Sequence, residues 1–168
     1  HGIPGIEVST GSLGHGLSIA TGMALASSRS AKGFRIFALL SDGECDEGST
    51  WEAAMFAGHH KLDGLTAIID YNKIQGMGAV KDILALEPLV TKWESFGWAA
   101  KEINGHNLGQ VLDTLKNVPM LGCKPTCIIA HTIKGKGVSF MEGETLWHYR
   151  SPNLTEFYEA LNELNARA

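Results

Sequence analysis

Two short apolar runs in this chain each end on an oxygen-bearing side chain followed by residues that let a ligand come close. The first, residues 34–42 (FRIFALLSD), stops at Asp42 and passes into Gly43; the second, residues 65–72 (LTAIIDYN), stops at Asn72 and passes into Lys73 and Ile74. Runs of branched and aromatic residues of this length read as buried parallel strands. In an open parallel sheet, ligands bind just beyond the carboxyl ends of the strands. A carboxylate, an amide oxygen and a free backbone carbonyl such as that of Ile74 are hard donors suited to Mg²⁺ or Ca²⁺. Gly43 allows close backbone approach, and the N-terminus of a helix opening just after it would present amides to a phosphate. The expected ligand is therefore a metal-bound diphosphate, with Asp42 and Asn72 side by side at one rim of a sheet.

The elements that must position these residues follow from spacing. Residues 49–62 carry Trp51, Ala54, Met55, Gly58 and Leu62 at helical intervals, which makes the unit strand–helix–strand. Ahead of it, Ser12 is a candidate N-cap for a slim helix over 12–28, with Leu13, Leu17, Ala20, Ala24 and Leu25 as its apolar stripe. Residues 87–97 read as a helix with Leu89, Val90 and Trp93 inward, 99–103 as a strand, 108–115 as a helix and 125–132 as a strand. A final amphipathic helix with Leu154, Phe157, Leu161 and Leu164 begins at a capping Asn153. Strands alternating with helices at this spacing give an α/β fold with a mainly parallel sheet and helices on both faces.

Four motifs in order carry a family resemblance: residues 10–16 (TGSLGHG), the Asp42-Gly43 to Asn72 pair, residues 51–58 (WEAAMFAG), and residues 134–140 (KGKGVSF) followed by Trp147-His148. Together they resemble the diphosphate-binding section of thiamine-diphosphate-dependent transketolases, above all the N-terminal subunit of the split, two-chain type. The resemblance covers essentially the whole chain. It implies a single diphosphate-binding domain over residues 1–168, which the mid-motif opening at His1 leads one to expect is incomplete at its N-terminus. Implied cofactor contacts are Gly11, Leu13, Asp42, Gly43, Glu44, Asn72 and Ile74, with Asp42, Asn72 and the Ile74 carbonyl on the metal. The resemblance also implies that Glu47 and Glu52 face a subunit interface and that His148 reaches the substrate. This chain has Ser12 where many relatives have Pro and His15 where many have Gln; neither removes a backbone contact.

The activity so implied is transfer of a two-carbon ketol unit between sugar phosphates. It would require thiamine diphosphate, a divalent cation and a C-terminal subunit carrying the pyrimidine-binding domain, in a homodimer or heterotetramer; the isolated chain would not turn over. Another thiamine-diphosphate enzyme, such as a deoxyxylulose-phosphate synthase or a ketoacid dehydrogenase subunit, and a non-catalytic remnant of the fold are the alternatives.

Bulk properties narrow the field further. A net charge of −4 gives no basic footprint for nucleic acid, and no apolar run suits a membrane span. Three cysteines, an odd number, argue against a disulfide framework and fit a cytoplasmic setting. The acidic cluster Glu44, Asp46 and Glu47 also suits the positive end of a helix. The pair His59 and His60, with Lys61, suits the end of a helix better than a metal. Cys123, Cys127 and His131 lack the second ligand pair of a zinc site, and His106 reads as a turn residue.

Overall fold

The computed structural model describes residues 3–30 and 32–166. After an exposed lead-in come α1 (His15–Arg29), β1 (Ile36–Ser41), a 3-10 turn (Gly43–Asp46), α2 (Gly48–His59) and β2 (Leu65–Tyr71). A two-residue hairpin follows, β3 (Ile74–Gln75) and β4 (Gly78–Ala79), then α3 (Val80–Ile83), α4 (Leu89–Ser95) and β5 (Ala99–Asn104). The chain continues through α5 (Leu108–Lys116), β6 (Thr126–His131), a second 3-10 turn (Thr145–His148) and α6 (Leu154–Asn165). The main sheet has the order β1-β2-β6-β5, and every pairing in it is parallel.

Side-chain alternation along the strands assigns the faces. Ile36, Ala38 and Leu40 of β1, Ala67, Ile69 and Tyr71 of β2, and Cys127 and Ile129 of β6 join Leu17, Ala20 and Ala24 of α1, Ala54 and Ala57 of α2, and Leu89 and Trp93 of α4 in one core. On the other face, Ile103, Ile128 and Ala130 pack with Ile68 against Val111 and Leu115 of α5. Helices thus cover both faces, but α5 stops short of the edge strand, where Leu39 is 73% exposed. Burial of the thiol of Cys127 within β6 drives its pKa well up, as expected of a small apolar group in a core.

Small residues on α1 and α2 let the two helices lie close to each other and to the sheet. Trp98, at the entrance to β5, is fully buried, and its indole nitrogen donates to the carbonyl of Ala54 at 2.8 Å. A Cβ on Gly58 would overlap the carbonyl oxygen of Phe96, so the C-terminal turn of α2 rests directly on backbone.

Several boundaries differ from the sequence expectation: α2 ends at His59 rather than at 62, and α4 spans Leu89–Ser95 rather than 87–97. Helix α1 starts at His15 rather than Ser12, because Gly14 adopts φ 77° and cannot continue a right-handed helix. Ser12 does not cap it: the N-cap residue is Gly14, with no side-chain cap bond, and the Ser12 amide donates to Thr10 Oγ1 at 3.0 Å. The buried stripe is Leu17, Ala20, Thr21, Ala24 and Ser27, and Leu13 is left outside it and exposed. At the other end of the chain the cap is as expected: Asn153 Oδ1 accepts from the Glu156 amide at 3.0 Å and Glu156 Oε2 from the Asn153 amide at 2.8 Å. Leu154, Phe157, Leu161 and Leu164 nevertheless remain exposed on α6.

The Gly58–Phe96 contact gives a stability prediction. Gly58→Ala should destabilise the fold by about 3 kcal/mol, at the upper end of overpacking effects, because the obstruction is backbone rather than a flexible side chain. Urea denaturation measures it, and a loss below roughly 0.5 kcal/mol would show that α2 can slide away freely.

Candidate functional site

Parallel pairing sets Ser41 of β1 beside Asp70 of β2, so the two carboxyl ends finish together. Asp42, one residue beyond β1, is 2% exposed, and its Oδ2 accepts the amide of Lys73 at 2.8 Å. Asn72, one residue beyond β2, folds its Oδ1 onto the amide of Ile74 at 3.0 Å. Lys73 between them takes φ 68°, the left-handed turn that reverses the chain into the β3–β4 hairpin. Asp42, Gly43, Asn72 and Ile74 are therefore gathered at one rim.

Burial raises the Asp42 pKa above the ordinary carboxylate value. The Lys73 and Gly43 amides pull it back in part, the charge of Asp70 adds to the rise, and the Lys134 ammonium opposes it. Asp70 itself is held by the hydroxyl of Thr132. Tyr71, between Asp70 and Asn72, is buried and bonded to the Glu87 carboxylate, which also accepts the Leu89 amide at 3.0 Å. The start of α4 thereby steadies the end of β2.

The other expected contacts distribute unevenly. Leu13 reaches the site: a Cβ on Gly43 would sit 3.8 Å from Leu13 Cδ2. The Leu13 carbonyl faces His15 Nδ1 at 3.0 Å. Gly11 lies on the exposed lead-in, with open space where a side chain would project. Glu44 turns back on its own strand: its Oε2 accepts the Ser41 amide at 3.0 Å, and its amide donates to Ser41 Oγ at 3.3 Å. Glu47 is exposed where α1 and α2 begin, a junction fastened by Ser49 Oγ donating to the Gly14 carbonyl at 3.0 Å. Glu52 is exposed further along α2.

The 134–149 segment folds back toward this rim. Lys134 Nζ stands 3.4 Å from His148 Nδ1. A Cβ on Gly76 would meet His148 Cδ2 at 3.3 Å and collide with the Tyr149 hydroxyl, so Gly76 makes room for both rings. His148 is exposed. His106 lies in a turn, its Nε2 accepting the Ile133 amide at 2.8 Å.

One residue at the site is named in the sequence only as part of a motif, and another escapes sequence reasoning. Lys134 opens the 134–140 motif on which the family resemblance rests, but nothing in the sequence gives it a role of its own. Gln75 has no signal beyond following Ile74, yet it is 8% exposed and its Nε2 is fully buried without a hydrogen-bond partner among the described residues. Its side chain lies over Gly43, with Cγ 3.8 Å and Cδ 3.9 Å from where a Gly43 Cβ would be.

The donor set fits a hard divalent cation. Asp42 is a buried carboxylate satisfied by backbone amides alone among the contacts described, and Asn72 adds a neutral oxygen beside it. A cation there would offset the burial of the charge.

Comparison with known proteins supplies the family. The model for the transketolase thiamine diphosphate binding domain matches residues 1–155. An apulose-4-phosphate transketolase subunit of Actinobacillus succinogenes is 47% identical over 164 residues, covering 98% of this chain and 59% of that protein. The subunit of the same name from Phocaeicola vulgatus is 42% identical over 165 residues, with the same coverage of each. Among solved structures, the transketolase of Campylobacter jejuni superposes with a TM-score of 0.88 at 31% identity, over 96% of this chain and 26% of its own. The chain belongs to the transketolase family, in its thiamine diphosphate binding domain. It spans somewhat over half the length of the two apulose-4-phosphate transketolase subunits it matches.

The raised Asp42 pKa has a stability consequence. Its folded value lies above the unfolded 3.8, so the ionised carboxylate weakens the fold above the folded pKa, and this penalty disappears as pH falls below the unfolded one. Asp42→Asn keeps an oxygen for the Lys73 amide and removes the charge. Without metal, it should be more stable than the parent at pH 7, with the gap closing toward pH 4. Urea midpoints across pH check this; a less stable variant at neutral pH would contradict it.

Proposed function

We propose that this chain is the diphosphate-binding part of a split transketolase, transferring a two-carbon ketol unit between sugar phosphates. The observation that carries the reading is the rim at Asp42 and Asn72: a buried carboxylate and an amide oxygen, side by side at the ends of two parallel strands, next to Gly43. Membership in the transketolase family supports it, as does the naming of the two apulose-4-phosphate transketolase relatives as subunits.

In this reading Asp42, Asn72 and the Ile74 carbonyl would hold Mg²⁺, or Ca²⁺ in its place, and Gly43 would offer backbone to the diphosphate of thiamine diphosphate beside them. The bound cofactor supplies the nucleophilic carbon and the electron sink for breaking a carbon–carbon bond beside a carbonyl. Gly11 and Leu13 offer backbone to its pyrimidine end, and Glu44 lies at the turn after Gly43. His148 hydrogen-bonds substrate oxygens and assists proton transfer, as an imidazole can near neutral pH. Lys134, beside His148 and within electrostatic reach of Asp42, adds positive charge where anionic groups gather.

A C-terminal subunit with the pyrimidine-binding domain completes each site, and Glu47 and Glu52 lie toward a subunit interface in a homodimer or heterotetramer. The domain assignment is one diphosphate-binding unit over residues 1–168. No helix among the described residues is long and apolar enough to cross a membrane, and the unpaired thiols Cys45, Cys123 and Cys127 suit a cytoplasmic setting.

Two sets of variants, made in the chain assembled with its partner subunit, test the assignment. Asp42→Ala and Asn72→Ala should each abolish Mg²⁺-dependent binding of thiamine diphosphate in isothermal titration while the circular dichroism spectrum stays unchanged. Retained affinity in either would remove that residue from the metal site. His148→Ala should lower turnover by about 10²–10⁴ and leave cofactor affinity intact. Near-parental turnover, or a collapse of cofactor affinity instead, would refute its substrate role.

A further inference from the structure

The buried nitrogen of Gln75 is an unmet donor on a side chain that borders the site at Gly43. Gln75 sits in β3, immediately after Ile74, and is more than nine-tenths buried. Its Nε2 is shielded from solvent and has no acceptor among the described residues. A buried donor left unmatched is costly, and native structures rarely keep one without use. Its surroundings show what the use is. The Gln75 side chain passes over Gly43 on the side where Leu13 also arrives, each within 4 Å of the position a Gly43 Cβ would take. Asp42 lies just before Gly43, with its Oδ2 on the amide of Lys73, two residues ahead of Gln75. The donor therefore belongs to the same cradle as the metal-ligand candidates, contributed by the hairpin rather than by the strand ends.

We propose that Gln75 is a further diphosphate-binding residue, its amide N–H donating to a phosphate oxygen seated beside Gly43. This rests on the proposed function above, which places a metal-bound diphosphate there. The chemistry matches on both sides: a phosphate oxygen is a charged acceptor, and a hydrogen bond to a charged group from a desolvated donor is stronger than a neutral one. The unmatched donor is a pre-formed element of the site that weakens the empty protein and is satisfied on binding. A residue present only for packing would behave in the opposite way, since its loss would weaken the fold and leave the ligand indifferent.

Two probes, Mg²⁺ with inorganic pyrophosphate and Mg²⁺ with thiamine diphosphate, test this on the chain assembled with its partner subunit. Gln75→Met, close in volume but without a donor, should weaken binding of both probes by about ten- to a hundredfold. The melting temperature of the ligand-free assembly should stay level or rise. Gln75→Glu, which sets a carboxylate against the diphosphate, should weaken both probes further. Unchanged affinity in Gln75→Met overturns the inference while leaving the proposed function standing. So does weakened binding of thiamine diphosphate with unaltered pyrophosphate binding, which would assign the donor to a ring atom. A fall in both affinity and ligand-free melting temperature would make Gln75 a packing residue and overturn the inference as well. Failure of the unsubstituted assembly to bind either probe overturns the proposed function, and the inference with it.

Discussion

The carboxylate of Asp42, buried at the end of β1 and bonded to the amide of Lys73, is the constraint on which the site depends. It joins two strands beyond the point where the sheet ladder ends, and it forces the chain after Asn72 to turn sharply. The left-handed Lys73 is the backbone consequence. From that turn follow the Asn72 bond to Ile74, the short hairpin and the inward course of Gln75. A carboxylate held this way is uncomfortable without a counter-charge, as the upward push on its pKa records. A site of this kind gives up stability in the empty protein to have its charge already in position, the arrangement expected of functional groups rather than structural ones.

The rest of the fold serves to bring other segments to that point. Gly14 ends the lead-in with a left-handed residue and lets α1 start against the beginning of α2, and a side chain there would strike Ser49 and Glu47. Leu13 is thereby directed at Gly43 instead of into the α1 core. From the far end of the chain, the loop after β6 closes on itself through the Gly143 amide and the Lys134 carbonyl at 3.0 Å. It then delivers His148 and Tyr149 to Gly76. The positions flanking the rim are thus filled by residues separated by more than a hundred positions, each admitted by a glycine.

Much of this is legible in the sequence because the physics is local. Branched and aromatic runs specify β1, β2 and β6, helical spacing specifies α2, and the Asp-Gly and Asn endings of two neighbouring strands indicate where a hard cation would sit. What is not local is missed or misplaced. Ser12, a serine before an apolar repeat, has the look of a helix cap, whereas the true start of α1 follows from the Gly14 backbone conformation set by contact with α2. The apolar face of α6 is plain in the pattern, yet nothing in its periodicity says that its side chains remain exposed. Gln75 carries no motif; its interest lies in a hydrogen bond it does not make, which only a three-dimensional arrangement can reveal. The order of the four family motifs does more than composition to narrow the function, since an α/β sheet alone hosts many chemistries.

The central claim is that a metal and a diphosphate share the rim between Asp42 and Asn72. The most direct measurement is a crystal structure of the assembled enzyme with Mn²⁺ standing in for Mg²⁺ and thiamine diphosphate bound, read by anomalous scattering. The expected result is one strong anomalous peak at about 2.1 Å from oxygens of Asp42, Asn72, the Ile74 carbonyl and the diphosphate. A diphosphate seated elsewhere, or a metal bound to it without touching Asp42 and Asn72, would contradict the claim.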